Sequence, residues 1–377
     1  LIRLHQLDGL RAVACLLVLA AHSCMAPISA ALEARGAHFW AVELSRLAQS
    51  GVELFFVLSG IVLLRPYVHG GRPFDLRQYA RRRAERLFPP YWTCLALALP
   101  LLLVAPLVPT WYSQEIVPTF HIWDLVLQMP LFSFTRTSYN GAWWSLQVEL
   151  VFYVLVPALI YVLRRPRIGW LPVAAAAAVV WGVSAAAFLQ FQRCEFPPPA
   201  VRTLQFFALY SPCFLMGCLV ARFELGPGGG WLLLVAGLAG VLVLPFGCMG
   251  VYPVAYSLFY GGILTLALQP GRRFERVLSH PLLVWLGERS YSLFLVHCTV
   301  FYAVNYVVSL VVAERNWAYG LLTRLVGIPL AFLAAMLVFH VVERPFARGL
   351  VTADHFWPFR FVSRHTAPQA VAQAKVV

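Results

Sequence analysis

Charge is scarce in this chain, and the scarcity excludes most soluble architectures. Only 12% of the 377 residues are Asp, Glu, Lys or Arg, while 60% are hydrophobic. A soluble domain is nearer a quarter charged, so the composition indicates an integral membrane protein. Acidic residues are the rarer sign, 16 against 29 basic ones, for a net charge of +13. That surplus would suit nucleic acid, but no RNA- or DNA-binding motif accompanies it. In a membrane chain it reads first as topology. The eight cysteines follow no metal or disulfide spacing, so neither a metal site nor a disulfide scaffold is expected. Cys15, Cys94, Cys213, Cys218 and Cys298 fall in apolar runs and read as small buried hydrophobes. Cys24 and Cys194 fall near the predicted outer face, where a disulfide has room but no motif in its favour. Internal repeats, low-complexity tracts and a second soluble domain are all absent from the sequence.

What is abundant is apolar sequence of bilayer length. A window of about 20 residues picks out ten candidate helices: 10–31, 48–66, 87–108, 143–163, 168–190, 203–222, 231–249, 252–269, 289–313 and 319–342. Pro197-Pro198-Pro199 and the glycines at 226 and 228–230 break the pattern between spans. The segment His121 to Phe134 is apolar but short and interrupted by Pro130, which fits a re-entrant or surface piece. Twenty basic residues fall on one side of this arrangement and six on the other, so the positive-inside rule places both termini in the cytoplasm. The expected fold is an all-α, polytopic membrane helix bundle of about ten transmembrane helices. Residues 1–345 would form the membrane domain and 346–377 a cytoplasmic tail too short and polar to fold alone.

Ionisable groups within such spans are costly and mark function by default. Arg11 and His22 share the first span. Eleven helical steps return to within about 20° of the starting direction, so both side chains point the same way, about 16 Å apart along the axis. A snorkelling arginine and a histidine bonded to a neighbouring helix would look the same. In the second loop, Arg83 and Arg86 precede Pro89-Pro90-Tyr91-Trp92 and are three apart, neighbours on one helical face. Paired guanidinium groups suit phosphate, although a topology signal touching lipid head groups has the same composition. Span four opens with Trp143-Trp144-Ser145, and Glu149 follows Ser145 by one turn on the same face. Counted from the outer surface, His22 lies about 14 Å down and Glu149 about 9 Å down, close enough in depth for the acid to orient the ring. His297 falls mid-span beyond Ser290-Tyr291-Ser292 and reads as a bonded histidine supporting the bundle. Glu343-Arg344-Pro345 reads as a helix stop.

In this order the segments resemble the acyltransferase 3 family of membrane proteins. The resemblance runs from Leu7-Asp8-Gly9-Leu10-Arg11 and His22 through Gly51 to Gly60, Arg83-x-x-Arg86, Trp144-Ser145-Leu146 to Glu149, and Ser290 to His297. It ends at Glu343-Arg344-Pro345. It departs slightly at residues 53 and 150, where the family often carries Asp and a second acidic or polar residue. It implies transfer of an acyl group, often acetyl from acetyl-CoA, onto a hydroxyl of a sugar or related acceptor. His22 and Arg11 would be the catalytic motif, Arg83 and Arg86 the donor-binding pair, and Glu149 a further essential acid. Trp144, Ser145 and His297 would lend support.

On that reading acyl-CoA is a co-substrate arriving from the cytoplasm, and no cofactor is permanently bound. The acceptor is a sugar, a polysaccharide or a glycosylated small molecule, and the setting is the cytoplasmic (inner) membrane. Neutral His22, with an ordinary pKa of about 6.5, suits general-base work, and an acyl-His intermediate stays open. A proton-coupled carrier would also use intramembrane His, Arg and Glu, but no inverted repeat or matching pair of broken helices is present. An acyl-group translocator serving a separate enzyme would share the donor site.

Overall fold

The computed structural model describes residues 4–69, 73–116, 140–165, 169–191, 199–244, 251–271 and 273–347. Among them the regular structure is helical throughout. The helices are α1 (His5–Ser23), α2 (Met25–Glu33), α3 (His38–Gln49), α4 (Gly51–Val68), α5 (Leu76–Val104) and α6 (Trp111–Ile116). They continue with α7 (Trp144–Leu163), α8 (Trp170–Phe191), α9 (Pro199–Phe223), α10 (Pro227–Val243) and α11 (Tyr252–Ala267). The remainder are α12 (Arg273–Leu278), α13 (Pro281–Glu288), α14 (Ser290–Ser309), α15 (Trp317–Val338) and α16 (Arg344–Ala347).

A helix occupies each of the ten apolar windows, but fewer have the length of a bilayer. Among the described residues, six helical stretches are long and apolar enough to cross one, or seven if α1 and α2 count as one bent span. Two of the remaining helices are short. α10 and α11 have 17 and 16 residues, about 25 Å at the helical rise and short of a hydrocarbon core of about 30 Å. The protein is a multi-pass helical membrane protein, with six or seven candidate spans among the described residues. The apolar piece at 121–134, Cys194 and most of the C-terminal tail lie outside the described residues.

The first window is not one straight helix. α1 and α2 meet at an angle of 62°, and Pro27 explains the bend. Its nitrogen has no hydrogen to give the Ser23 carbonyl four residues back, and its ring crowds that oxygen. The freed carbonyl accepts instead from Arg324 Nε of α15 at 2.6 Å. A guanidinium in the middle of an apolar helix thus has a definite structural employment.

Two packed cores share the bundle. One joins α4, α7, α9 and α11, with the Phe214 ring stacked between Phe56 (4.5 Å) and Phe152 (4.0 Å). α4 and α9 cross at Gly60 and Gly217, where a Cβ on either would strike the backbone of the other helix; small residues permit such contact in membranes. The second core joins α1, α5, α14 and α15 around Leu87, Tyr91, Cys94 and Leu295. Where the two cores meet, α1, α4, α5, α7 and α14 leave a cavity.

The stop expected at Glu343-Arg344-Pro345 does not form. α15 passes through a π turn, Phe339–Glu343, and continues into α16. The carbonyl that Pro345 cannot pair with belongs to Val341, inside the widened turn, which relieves the clash.

Replacing Arg324 by Met should leave the Ser23 carbonyl without its partner and cost about 1–3 kcal/mol. Thermal unfolding of the purified protein reads this directly, and an unchanged midpoint would show that the bend needs no guanidinium.

Candidate active site

Five helices contribute to the cavity, whose volume is about 780 Å³ counting its open mouth. α1 supplies Arg11, α5 supplies Arg83 and Arg86, and α7 supplies Ser145, Glu149 and Tyr153. α4 adds Ser59 with Phe55, and α14 adds Ser290, Tyr291 and Phe294. Three guanidinium groups from two helices therefore face one space in which Glu149 is the carboxylate.

The basic pair is helical rather than part of a loop. α5 begins at Leu76, capped by Asp75, whose carboxylate accepts from the Gln78 amide at 3.0 Å. Three residues of helix bring Arg83 and Arg86 to one face. Arg83 lies 5.8 Å from the ring centroids of Tyr79 and Tyr153, and its Nε is buried with no hydrogen-bond partner. An unsatisfied, charge-bearing N–H in an apolar bundle is costly. Arg11 approaches Asp8 at 3.3 Å, one turn back on α1.

Glu149 is held by two hydroxyls. Ser59 Oγ donates to its Oε1 at 2.8 Å and Tyr153 OH donates to the same oxygen at 2.6 Å. Ser59 reaches it because the α4–α9 crossing at Gly60 sets the adjacent turn of α4. Tyr153 reaches it from one turn along α7. Neither residue was singled out from the sequence, although Glu149-x-x-x-Tyr153 is an i,i+4 pair that a search for partners of the acid would have found. Ser145 lines the same cavity, with its hydroxyl turned back to the Ala142 carbonyl at 3.1 Å. Trp144 does not join them. It packs among Phe206 and Tyr210 at centroid distances of 5.2 and 5.3 Å.

His22 is not beside Glu149. It stands in the last turn of α1, directly before the bend, with part of its ring exposed. The uninterrupted rod from which its depth was counted is broken just beyond it, where α1 and α2 meet at 62°. Its neighbour is His297, 1% exposed on α14, with ring centroids 5.1 Å apart. The His297 Nε2 to His22 Nδ1 distance is 3.4 Å, and His22 Nδ1 lies 2.9 Å from the Val18 carbonyl. Phe294 bridges the two regions: its ring lines the cavity beside Phe55, at 5.7 Å, and lies 5.9 Å from the His297 ring.

With Cys298, the two histidines bring one ligand atom each within 4.8 Å of one another. The Val18 carbonyl places a hydrogen on His22 Nδ1, which leaves the lone pair of that ring on Nε2. The cavity offers a different chemistry, guanidinium groups of the kind that pair with phosphate or carboxylate oxygens.

Residues 4–342 match the family described as the acyltransferase domain, acyltransferase 3. The chain belongs to that family. The chain is also 28% identical over 144 residues to Nodulation protein 10 of Rhizobium leguminosarum bv. viciae, a match covering 35% of the chain and 38% of that protein. No solved structure matches it.

If the Glu149 cluster serves the acyltransferase as a unit, Tyr153→Phe and Glu149→Gln should not be additive. A double-mutant cycle on turnover should give a coupling of about 0.5–3 kcal/mol, whereas strict additivity would reduce the Tyr153 contact to packing.

Proposed function

We propose that this acyltransferase takes an acyl group from acyl-CoA, acetyl-CoA by preference, and passes it to a hydroxyl of a sugar, polysaccharide or glycosylated small molecule. The observation that carries the donor assignment is the single cavity lined by Arg11, Arg83 and Arg86, with a buried guanidinium N–H of Arg83 unpaired. The donor's phosphates sit on these guanidinium groups, entering from the cytoplasmic side of the inner membrane, where the basic loops and both termini lie. No cofactor is permanently bound. Glu149, held by Ser59 and Tyr153, adds a fixed negative charge to the arginine-lined cavity.

His22 is the general base. Arg11 and His22 lie on one helix, about 16 Å apart along its axis, so the pantetheine arm spans the distance between donor anchorage and base. The arm passes Phe294, whose ring is shared between the cavity and His297. The exposed side of His22 receives the acceptor. Its imidazole takes the proton of the acceptor hydroxyl as that oxygen attacks the thioester carbonyl carbon. The carbon–sulfur bond then breaks, and the CoA thiolate leaves with the proton returned from the imidazolium. Acyl-CoA and alcohol become ester and free CoA, with neutral histidine restored.

Two measurements test the reading. Acetyl-CoA should raise the thermal midpoint of the purified protein, and Arg83→Ala/Arg86→Ala should weaken its binding at least tenfold, since a charge-assisted contact contributes about 1.5–3 kcal/mol. An undiminished response in the double variant would refute the donor site. His22→Ala should bind acetyl-CoA normally yet show no acyl transfer to the glycan, followed by mass spectrometry; persistent transfer would exclude this base.

A further inference from the structure

His297 is buried against the base, and its hydrogen bonds decide where the protons lie. His297 Nδ1 sits 2.8 Å from the Phe294 carbonyl and 3.1 Å from that of Leu293. Carbonyl oxygens only accept, so Nδ1 carries the hydrogen, and Nε2 of the neutral ring carries the lone pair. Two groups face that lone pair: Cys298 Sγ at 3.2 Å and His22 Nδ1 at 3.4 Å. The same logic applies one ring further. His22 Nδ1 lies 2.9 Å from the Val18 carbonyl, so it too carries its hydrogen, shared between that oxygen and the acceptor on His297. Both neighbours of His22 Nδ1 are acceptors, and the lone pair of His22 is left on Nε2.

We propose that His297 is a positioning residue for the transfer: it fixes His22 in the Nδ1–H tautomer, so that Nε2 is the basic atom, and accepts the Nδ1 hydrogen bond of the imidazolium as it forms. The proposal rests on the reading of His22 as general base. It gives His297 the task that an aspartate performs in many base-activated sites, with a neutral ring in place of a carboxylate. At 3.4 Å the contact is weak while His22 is neutral. A positive charge on His22 strengthens it, so the interaction stabilises the charged state more than the resting one, which is the condition for it to accelerate the reaction. Glu149, placed among the arginines, is not hydrogen-bonded to the ring in this arrangement and is free to serve the donor.

The test combines a spectrum and a pair of substitutions in the full-length purified protein. Nitrogen-15 NMR of histidine-labelled protein, with the His22 signals identified by their loss in His22→Ala, should show protonated Nδ1 and free Nε2. His297→Leu should lower kcat roughly 100-fold, within the range for general-base assistance, without raising the KM for acetyl-CoA. His297→Gln, whose side-chain oxygen falls near the position of the lost Nε2, should recover at least tenfold of that loss. An Nε2–H tautomer at His22 would overturn the proposal even if neither variant folds. So would wild-type kcat in His297→Leu, or a folded His297→Gln no better than His297→Leu. Turnover surviving in His22→Ala would instead remove the base assignment, and this proposal with it. Loss of turnover in His22→Ala together with the wrong tautomer removes this proposal alone.

Discussion

Three guanidinium groups facing one cavity inside an apolar bundle are the constraint around which the molecule is organised. Like charges at close quarters repel more strongly in a low-dielectric interior than in water, and each is costly to desolvate. The fold answers with a distributed set of acids. Asp8 pairs with Arg11 one turn away on α1, Glu149 enters from α7, and Glu343 acts on Arg86 from the π turn beyond α15. Each acid is itself tied down; Glu343, for example, accepts from the Ser292 hydroxyl at 2.5 Å. Three acids thus stand against the three guanidinium groups, so the charge around the cavity is close to balanced.

Much of this was legible in the residues because it depends on spacing along a helix. Arg83 and Arg86 are three apart and share a face wherever a helix runs through them. Ser145 and Glu149 do so at four. What spacing could not supply was the identity of partners from distant segments. Ser59 reaches Glu149 only because two glycines let α4 and α9 touch, a fact about the pair of helices rather than about either. Trp144 has the look of a site residue in sequence, yet it belongs to an aromatic cluster with Phe206 and Tyr210. Apolar windows register hydrophobicity rather than helix length, so they do not foretell that α10 and α11 have only 17 and 16 residues.

The largest departure concerns His22, and its cause is one proline. Reading residues 10–31 as a single rod put His22 deep and brought it level with Glu149. Pro27 denies a hydrogen bond to the Ser23 carbonyl, the rod bends, and the histidine ends up at the rim of the first segment beside His297. The arginine cavity and the histidine pair are thus two neighbouring stations that share Phe294 as a common wall, each with its own supporting residues.

α1 carries one member of each station, Arg11 near its start and His22 in its last turn. A helix of 19 residues behaves as a stiff bar at this length, wedged by α4 at Gly51, whose Cβ position is filled by Ala14 and Val18. A second close approach holds its other end, where Gly9 lies against the Leu278 backbone and Gly287 against that of Asp8. The separation between the two stations is therefore written into a single piece of backbone, gripped at both places.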